Sequence, residues 1–441
     1  MTTIELGEID STPDPAPATE FSRRLARQAA IAVSLLLCVL GTTGSARGSP
    51  PGIRPLWSVP LAESDGSTLG TDTAYLQRST AGRSRLTAYD LATGTIRWET
   101  AMDGTLGYTQ LAEEAGLLLL PIDPSAARTD EIRYTHNGKA TTALDMRTGA
   151  ALWTAPGEPM LIDGRTALMA DYTGEGLYAR LRLIALDRGG ARPVWSRDTG
   201  KVDSLAFQMN RLKPEKIILV GGDGLVEVVR FLDGELIAQA RIPWRSPDPD
   251  EGEFNDLAAA GDYLVVNRAR QDHAELTVYH LGTLAEAWRT TGTNRGYAFP
   301  CGTAICFNDG DSVAAYDAPT GRQLWRPDGV GSSWAAGSDR VVAERPGAGG
   351  QVLLDAATGR AIGDPGTGET VWTTEPGEAL LVLRATKEPP GQTSITRWDL
   401  ATGRRQLLGA IGNLVVNRCQ SVAHYLGCYQ VHEFTITVVG W

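Results

Sequence analysis

The sequence predicts an all-β fold: a β-propeller of four-stranded blades, preceded by one N-terminal transmembrane helix. Three observations predict it. A ten-residue unit beginning at Tyr89, Tyr-Asp-Leu-Ala-Thr-Gly-Thr-Ile-Arg-Trp, returns along the chain in fixed register. Short apolar runs precede each copy, giving about four strands per repeat. The repeats lie 37 to 55 residues apart, which is the period of a solenoid, propeller or array.

The register is Asp, then Gly four residues on, then Trp eight residues on. Asp90, Gly94 and Trp98 keep it, as do Asp145, Gly149 and Trp153, and Asp317, Gly321 and Trp325. Asp187 and Trp195 keep the outer spacing around Gly189-Gly190. His280 and Trp288 keep it without the acid. A weaker copy at Arg230 has Gly234 but Ala238 at the Trp position. Asp355 and Gly359 lead to Gly363, and Asp399 and Gly403 lead to Leu407. Glycine suits the turn because it adopts positive φ without steric cost. Runs such as Arg85–Tyr89, Ala274–Tyr279 and Lys216–Val220 read as the strands.

Asp-x-x-Thr-Gly-x-x-x-Trp repeats resemble those of the pyrroloquinoline-quinone-type (quinoprotein-like) β-propellers, over residues 53 to 441. That superfamily includes quinoprotein alcohol dehydrogenases and non-enzymatic scaffolds, among them the propeller lipoprotein of the outer-membrane barrel-assembly machinery. The resemblance implies that Trp98, Trp153, Trp195, Trp288 and Trp325 dock each blade on its neighbour. An indole buries a large apolar area, which fits that role better than a quinone or sugar platform repeated at one blade position.

The termini complete each other. Leu56-Trp57-Ser58-Val59-Pro60 resembles a Trp-bearing strand with no turn before it, while Glu433–Val439 resembles the strand before a turn. The N-terminal strand is therefore expected to pair into the last blade, with Trp57 as its docking residue, leaving no open edge. Eight blades are expected, with seven to nine allowed.

Residues 1–22 hold five acids and no Lys or Arg, with Pro13, Pro15 and Pro17 against a helix, so a disordered acidic cytoplasmic tail is expected. Arg23, Arg24 and Arg27 precede an apolar run from Ala29, and residues 23–46 read as a signal anchor. Its 18 residues from 29 to 46 make about 27 Å of helix, near the thickness of a hydrocarbon core. The arginines place the N-terminus in the cytoplasm and the propeller outside. A cleaved signal peptide ending at Gly44-Ser45-Ala46 is the alternative, giving a secreted protein. A lipid on Cys38 is disfavoured by Leu37 before it. Residues 47–55 read as linker and 56–441 as propeller.

Cys301 with Cys306, and Cys419 with Cys428, lie where the first two strands of a blade form a hairpin. Facing strand residues have the Cα separation a disulfide needs, and two local pairs beyond an export signal fit an oxidising compartment. Neither pair has the spacing or the neighbouring His of a zinc site. The net charge of −11 argues against a nucleic-acid partner. Five Lys against 36 Arg, with abundant Ala and Gly, is the composition of a GC-rich bacterial genome such as an actinobacterium's.

No catalytic, cofactor or metal residue is expected. The resemblance would require an adjacent Cys-Cys pair and funnel-building insertions for a quinoprotein dehydrogenase, and this chain has neither. The acidic stretch 247–253 lacks the spacing of a calcium loop, and Asn308–Asp311 reads as a hairpin turn. The function expected is a membrane-tethered extracytoplasmic scaffold binding envelope or extracellular proteins. The alternatives are a quinoprotein-like dehydrogenase or redox protein, and a glycan or small-ligand sensor in the central channel. Trp244 falls outside the register and reads as a loop residue.

Overall fold

The structure is a computed structural model. It describes residues 52–440 except 63, 81, 104–107, 123–124, 129–133, 175, 211, 248–251, 271–272, 293–295, 309–311, 348–349, 374–377 and 413. The acidic tail, the signal anchor with Cys38 and most of the linker lie outside the described residues. So do 248–251 of the acidic stretch and residues 309–311 of the predicted turn. Among the described residues, no helix is long and apolar enough to cross a membrane.

The described chain is all-β, with two single-turn 3-10 helices at Glu113–Ala115 and Val416–Arg418. Seven sheets have four antiparallel strands, and an eighth has seven. The seven-stranded sheet holds two meanders, because Gly190–Asn210 runs on for 21 residues as the last strand of one and the first of the next. The pairing thus resolves into nine four-stranded blades, numbered here in chain order. Blades 1 to 4 span 66–103, 110–156, 158–198 and 202–241. Blades 5 to 8 span 253–292, 297–325, 333–366 and 369–412. Blade 9 combines 419–439 with 53–60. The sequence favours eight blades and allows seven to nine, and the pairing gives nine. Eight repeat turns each belong to a blade, and the ninth blade has none because the chain ends stand in its place. An added two-stranded hairpin, Ser125–Arg128 with Tyr134–Asn137, projects from blade 2.

Ring closure follows the prediction. Ile53–Pro60 pairs antiparallel with Glu433–Val439, and Trp57 stands opposite Ile436. The strand begins at Ile53, inside the stretch read as linker. Polar bonds reinforce the closure: Gln420 Nε2 donates to Ser67 O at 2.8 Å, and the Tyr429 hydroxyl donates to Asp65 O at 2.6 Å.

First strands of neighbouring blades lie against each other, so they form the inner wall and the fourth strands form the rim. The core lies between blades. The second and third strands carry the fully buried residues, such as Leu76, Leu86, Leu118, Leu144, Leu264 and Leu353. Alternation sends their side chains to both sheet faces, and each face meets the next blade.

Antiparallel order also fixes two faces of the ring. The links between strands one and two, and between three and four, including the Asp-Thr-Gly turns, emerge on one side, here the turn face. The links between strands two and three, and those between blades, emerge on the other, here the loop face.

Candidate functional site

The predicted site residues assemble as joints between blades. In each intact joint the Trp indole donates to a carbonyl in the next blade's turn. Trp57 bonds Leu91 O at 3.0 Å, Trp98 bonds Met146 O at 2.8 Å, and Trp195 bonds Phe231 O at 2.9 Å. Trp288 bonds Ala318 O at 2.7 Å and Trp325 bonds Ala356 O at 2.9 Å. The acceptor is always the residue after the turn's first position. Trp153 bonds Asp187 O itself, at 2.8 Å, because that turn is two residues shorter. The residue before each Trp is bulged out of the strand pairing, as Arg97 is between Ile96 and Trp98, which turns the indole toward the neighbouring blade.

The turn glycine has two reasons to be glycine. At Gly94 φ is +70°, and a Cβ would stand 2.5 Å from Trp57 Cγ. Gly149 is the same against Trp98, at 2.4 Å. The turn acid holds the loop shut. Asp90 Oδ1 accepts from Thr93 N at 2.9 Å and Thr93 Oγ1 at 2.8 Å. Asp355 and Asp399 do the same with Thr358 and Thr402, and Asp145 with Thr148 N. Arg97 also bonds Asp90, at 2.7 Å, and with Thr93 it depresses the Asp90 pKa to about 2. Asp317 bonds Thr320 Oγ1, and Asp145 pairs with Arg188.

Three joints break the pattern, and residues not singled out from the sequence repair two of them. Where blade 4 has Ala238, blade 5 has Leu284 at the glycine position, at φ +55°, 5% exposed and in the same core cluster. Where blade 7 has Gly363, Arg340 donates Nε to Leu400 O at 2.8 Å, the carbonyl an indole would otherwise use. Trp398 is fully buried between blades 7 and 8, with Ile362 and Leu353. Blade 8 shifts its bulge to Leu408, so Gly409, not Leu407, faces Ile395; Leu407 is exposed and docks nothing within the described residues.

Both disulfides form. Cys301–Cys306 has a Cα separation of 5.7 Å and Cys419–Cys428 one of 4.2 Å. Both bridge the first two strands of their blades, 6 and 9. Trp244 lies in an inter-blade link as expected, yet it is half-buried and donates to Asp203 Oδ2 at 3.1 Å. Among the described residues, no group of three or more His, Cys, Asp or Glu could hold a metal ion.

The loop face is built differently. Three cavities open there, of about 520, 520 and 400 Å3. It carries the longer links, including the hairpin on blade 2, residues 242–247 and residues 386–391. At the starts of the inner strands it exposes Tyr108, Phe254 and Tyr297. Tyr108 donates to Glu158 Oε1 at 2.5 Å, and Glu158, 5% exposed, also accepts from Gly138 N at 2.6 Å. Burial, then the hydrogen bond to Glu158 and the charge of Glu158, push the Tyr108 hydroxyl above its ordinary pKa. Tyr297 donates to Ser333 O at 2.5 Å in the next blade. Tyr108 and Tyr297 are thus anchored by their hydroxyls, while Phe254 is exposed without such an anchor. Asp256, on the inner wall, is held above the ordinary carboxylate range by burial.

A family model described as outer membrane protein assembly factor BamB matches residues 49–290. No curated protein matches the chain in sequence. Among solved structures, a eukaryotic initiation factor is similar with a TM-score of 0.52 at 12% identity, over 88% of this chain and 92% of that one. BamB from Moraxella catarrhalis aligns with a TM-score of 0.42 at 15% identity, over 88% of this chain and 97% of that one. The computationally designed Ika8 protein aligns at 0.44 and 13%, over 76% and 95%. The first likeness supports the fold alone.

Proposed function

Because the chain belongs to the family described as outer membrane protein assembly factor BamB, we propose that its propeller is a protein-binding scaffold of the cell envelope, working through its loop face. The observation that carries the reading is the division of labour between the two faces. The turns are consumed in holding blades together, while the loop face presents anchored aromatics and three cavities on a rigid frame. Loops on rigid frames carry recognition, and aromatic side chains dominate interface energetics.

The reading includes a tether through residues 29–46, with the N-terminus cytoplasmic and the propeller extracytoplasmic. The Arg23, Arg24 and Arg27 cluster supports that orientation. Two disulfides support an oxidising compartment. Protease shaving of intact cells should remove the propeller and spare residues 1–22, whereas a mature N-terminus near Arg47 would replace the tether with secretion.

Site-specific photo-crosslinking in cells tests the binding face. Probes at Tyr108, Phe254 and Tyr297 are expected to capture envelope proteins, and probes at Thr95 and Arg360 on the turn face are not. Adducts from the turn face alone, or from neither face, would sink the proposal.

A further inference from the structure

The joint between blades 7 and 8 differs from the others in a way that opens the loop face. With Gly363 in place of Trp, the blades meet at the rim through backbone: a Cβ at Gly363 would stand 2.7 Å from Gly403 O. Arg340 fastens the turn side. On the loop side a cavity of about 520 Å3 separates the same two blades.

Besides Arg345, four charged side chains of both signs line it: Glu344 from blade 7 and Glu369, Arg384 and Lys387 from blade 8. Strand register places Glu344 opposite Gln351, and Glu369 opposite Leu383, beside Arg384. All four charges are exposed, and among the described residues none makes an ion pair or side-chain hydrogen bond. Arg345, on the same wall, is satisfied by Asp364 at 2.5 Å. Gln351 is 7% exposed, and its Oε1 accepts no hydrogen bond among the described residues. The last side-chain torsion of glutamine is broad, so that oxygen turns toward the cavity at little cost.

We propose that this cavity binds an extended peptide segment of a partner protein carrying both an acidic and a basic side chain. The lysine and arginine take the acid, the two glutamates take the base, and the Gln351 amide accepts from the peptide backbone. Balanced charge favours such a segment over a simple anion, which Glu344 and Glu369 would repel, and over a simple cation, which Arg384 and Lys387 would repel. The proposal rests on the scaffold reading above and names what one part of its loop face holds.

Fluorescence polarisation with the full-length chain tests it. The probes are blocked peptides of one length: repeating lysine-glycine-glutamate-glycine, all-lysine, all-glutamate and all-serine. Only the mixed-charge peptide is expected to bind. Arg384→Glu with Lys387→Glu should weaken it at least tenfold, as should Glu344→Lys with Glu369→Lys. Combining all four reversals should restore binding to within about threefold, because the wall regains both signs. All four positions are exposed, so the variants test recognition and not folding. Equal binding of a single-charge peptide, no effect of the reversals, or no binding of the mixed peptide overturns the proposal. If that happens while the loop-face crosslinks persist, the cavity proposal falls alone. If the crosslinks are also missing, the scaffold reading falls with it.

Discussion

The indole N–H of Trp57 donates to the carbonyl of Leu91 at 3.0 Å, joining the N-terminal strand of the last blade to the turn of the first. The same indole packs on Gly94. One side chain therefore closes the ring twice, once in the blade it completes and once on the blade it docks against. Trp57 is half-buried, so Trp57→Ala should cost about 3 kcal/mol, the low end for a large aromatic. That is a substantial part of a usual domain stability. Trp372→Ala, at a 40% exposed position, should cost far less. Urea midpoints of the two variants decide this, and equal losses would mean that the ring closes without the Trp57 contact.

The two roles of the turn glycine can be separated. Gly94 and Gly82 have nearly the same φ, +70° and +79°. A Cβ at Gly82 meets nothing within 4 Å, whereas one at Gly94 meets Trp57 at 2.5 Å. Both alanine variants carry the left-handed strain, about 1–2 kcal/mol, and only Gly94→Ala must also displace an indole. Gly94→Ala should be the more destabilising by at least 1 kcal/mol, with a change in tryptophan fluorescence that Gly82→Ala lacks. Equal cost and unchanged emission would leave the close approach without energetic weight.

These contacts explain what could be read from the sequence. Asp, Gly and Trp recur because a carboxylate, a missing Cβ and an indole are each needed at one point, and few other residues do those jobs. Repairs are harder to see. Leu284 stands in for glycine only because Ala238 has vacated space in the preceding blade, and 46 residues separate the two. Arg340 replaces an indole from a different strand, so no spacing reveals it. Blade number is harder to read, because eight turns mark eight blades and the ninth, completed by residues 53–60, carries none. The loop face was not legible at all. Its links have no register, and which of them share a side follows only from the strand pairing.

Ala238 and Leu284 should behave as a coupled pair. Leu284→Gly relieves a positive φ but empties a buried site, and loss of a buried leucine outweighs the relief, by about 2–4 kcal/mol net. Ala238→Trp alone overpacks against Leu284. The double variant rebuilds the joint seen at Trp98 and Gly149, so its stability should exceed the sum of the single losses by at least 1 kcal/mol. A double-mutant cycle from denaturant midpoints measures that coupling, and strict additivity would mean that the two positions do not share the joint.

Two aspartates should give opposite pH signatures. The Asp90 pKa is depressed to about 2 by Arg97 and then Thr93. The depressed value means that its contribution is complete above the unfolded carboxylate value of about 4, and is lost as pH falls through its own pKa near 2. Asp256 is raised by burial. Its contribution is present below the unfolded value and is lost as pH rises through the folded one, so at neutral pH its charge works against the fold. Its bond from Ala298 N, at 3.4 Å, is one that an asparagine oxygen can also accept. Asp90→Asn should therefore destabilise at pH 7 and cost little at pH 2, while Asp256→Asn should stabilise at pH 7 and gain nothing at pH 3. Urea unfolding of both variants at those pH values measures the two signs. If Asp90→Asn costs the same at pH 7 and pH 2, the Arg97 and Thr93 bonds do not favour the ionised form, and the turn is held by geometry alone.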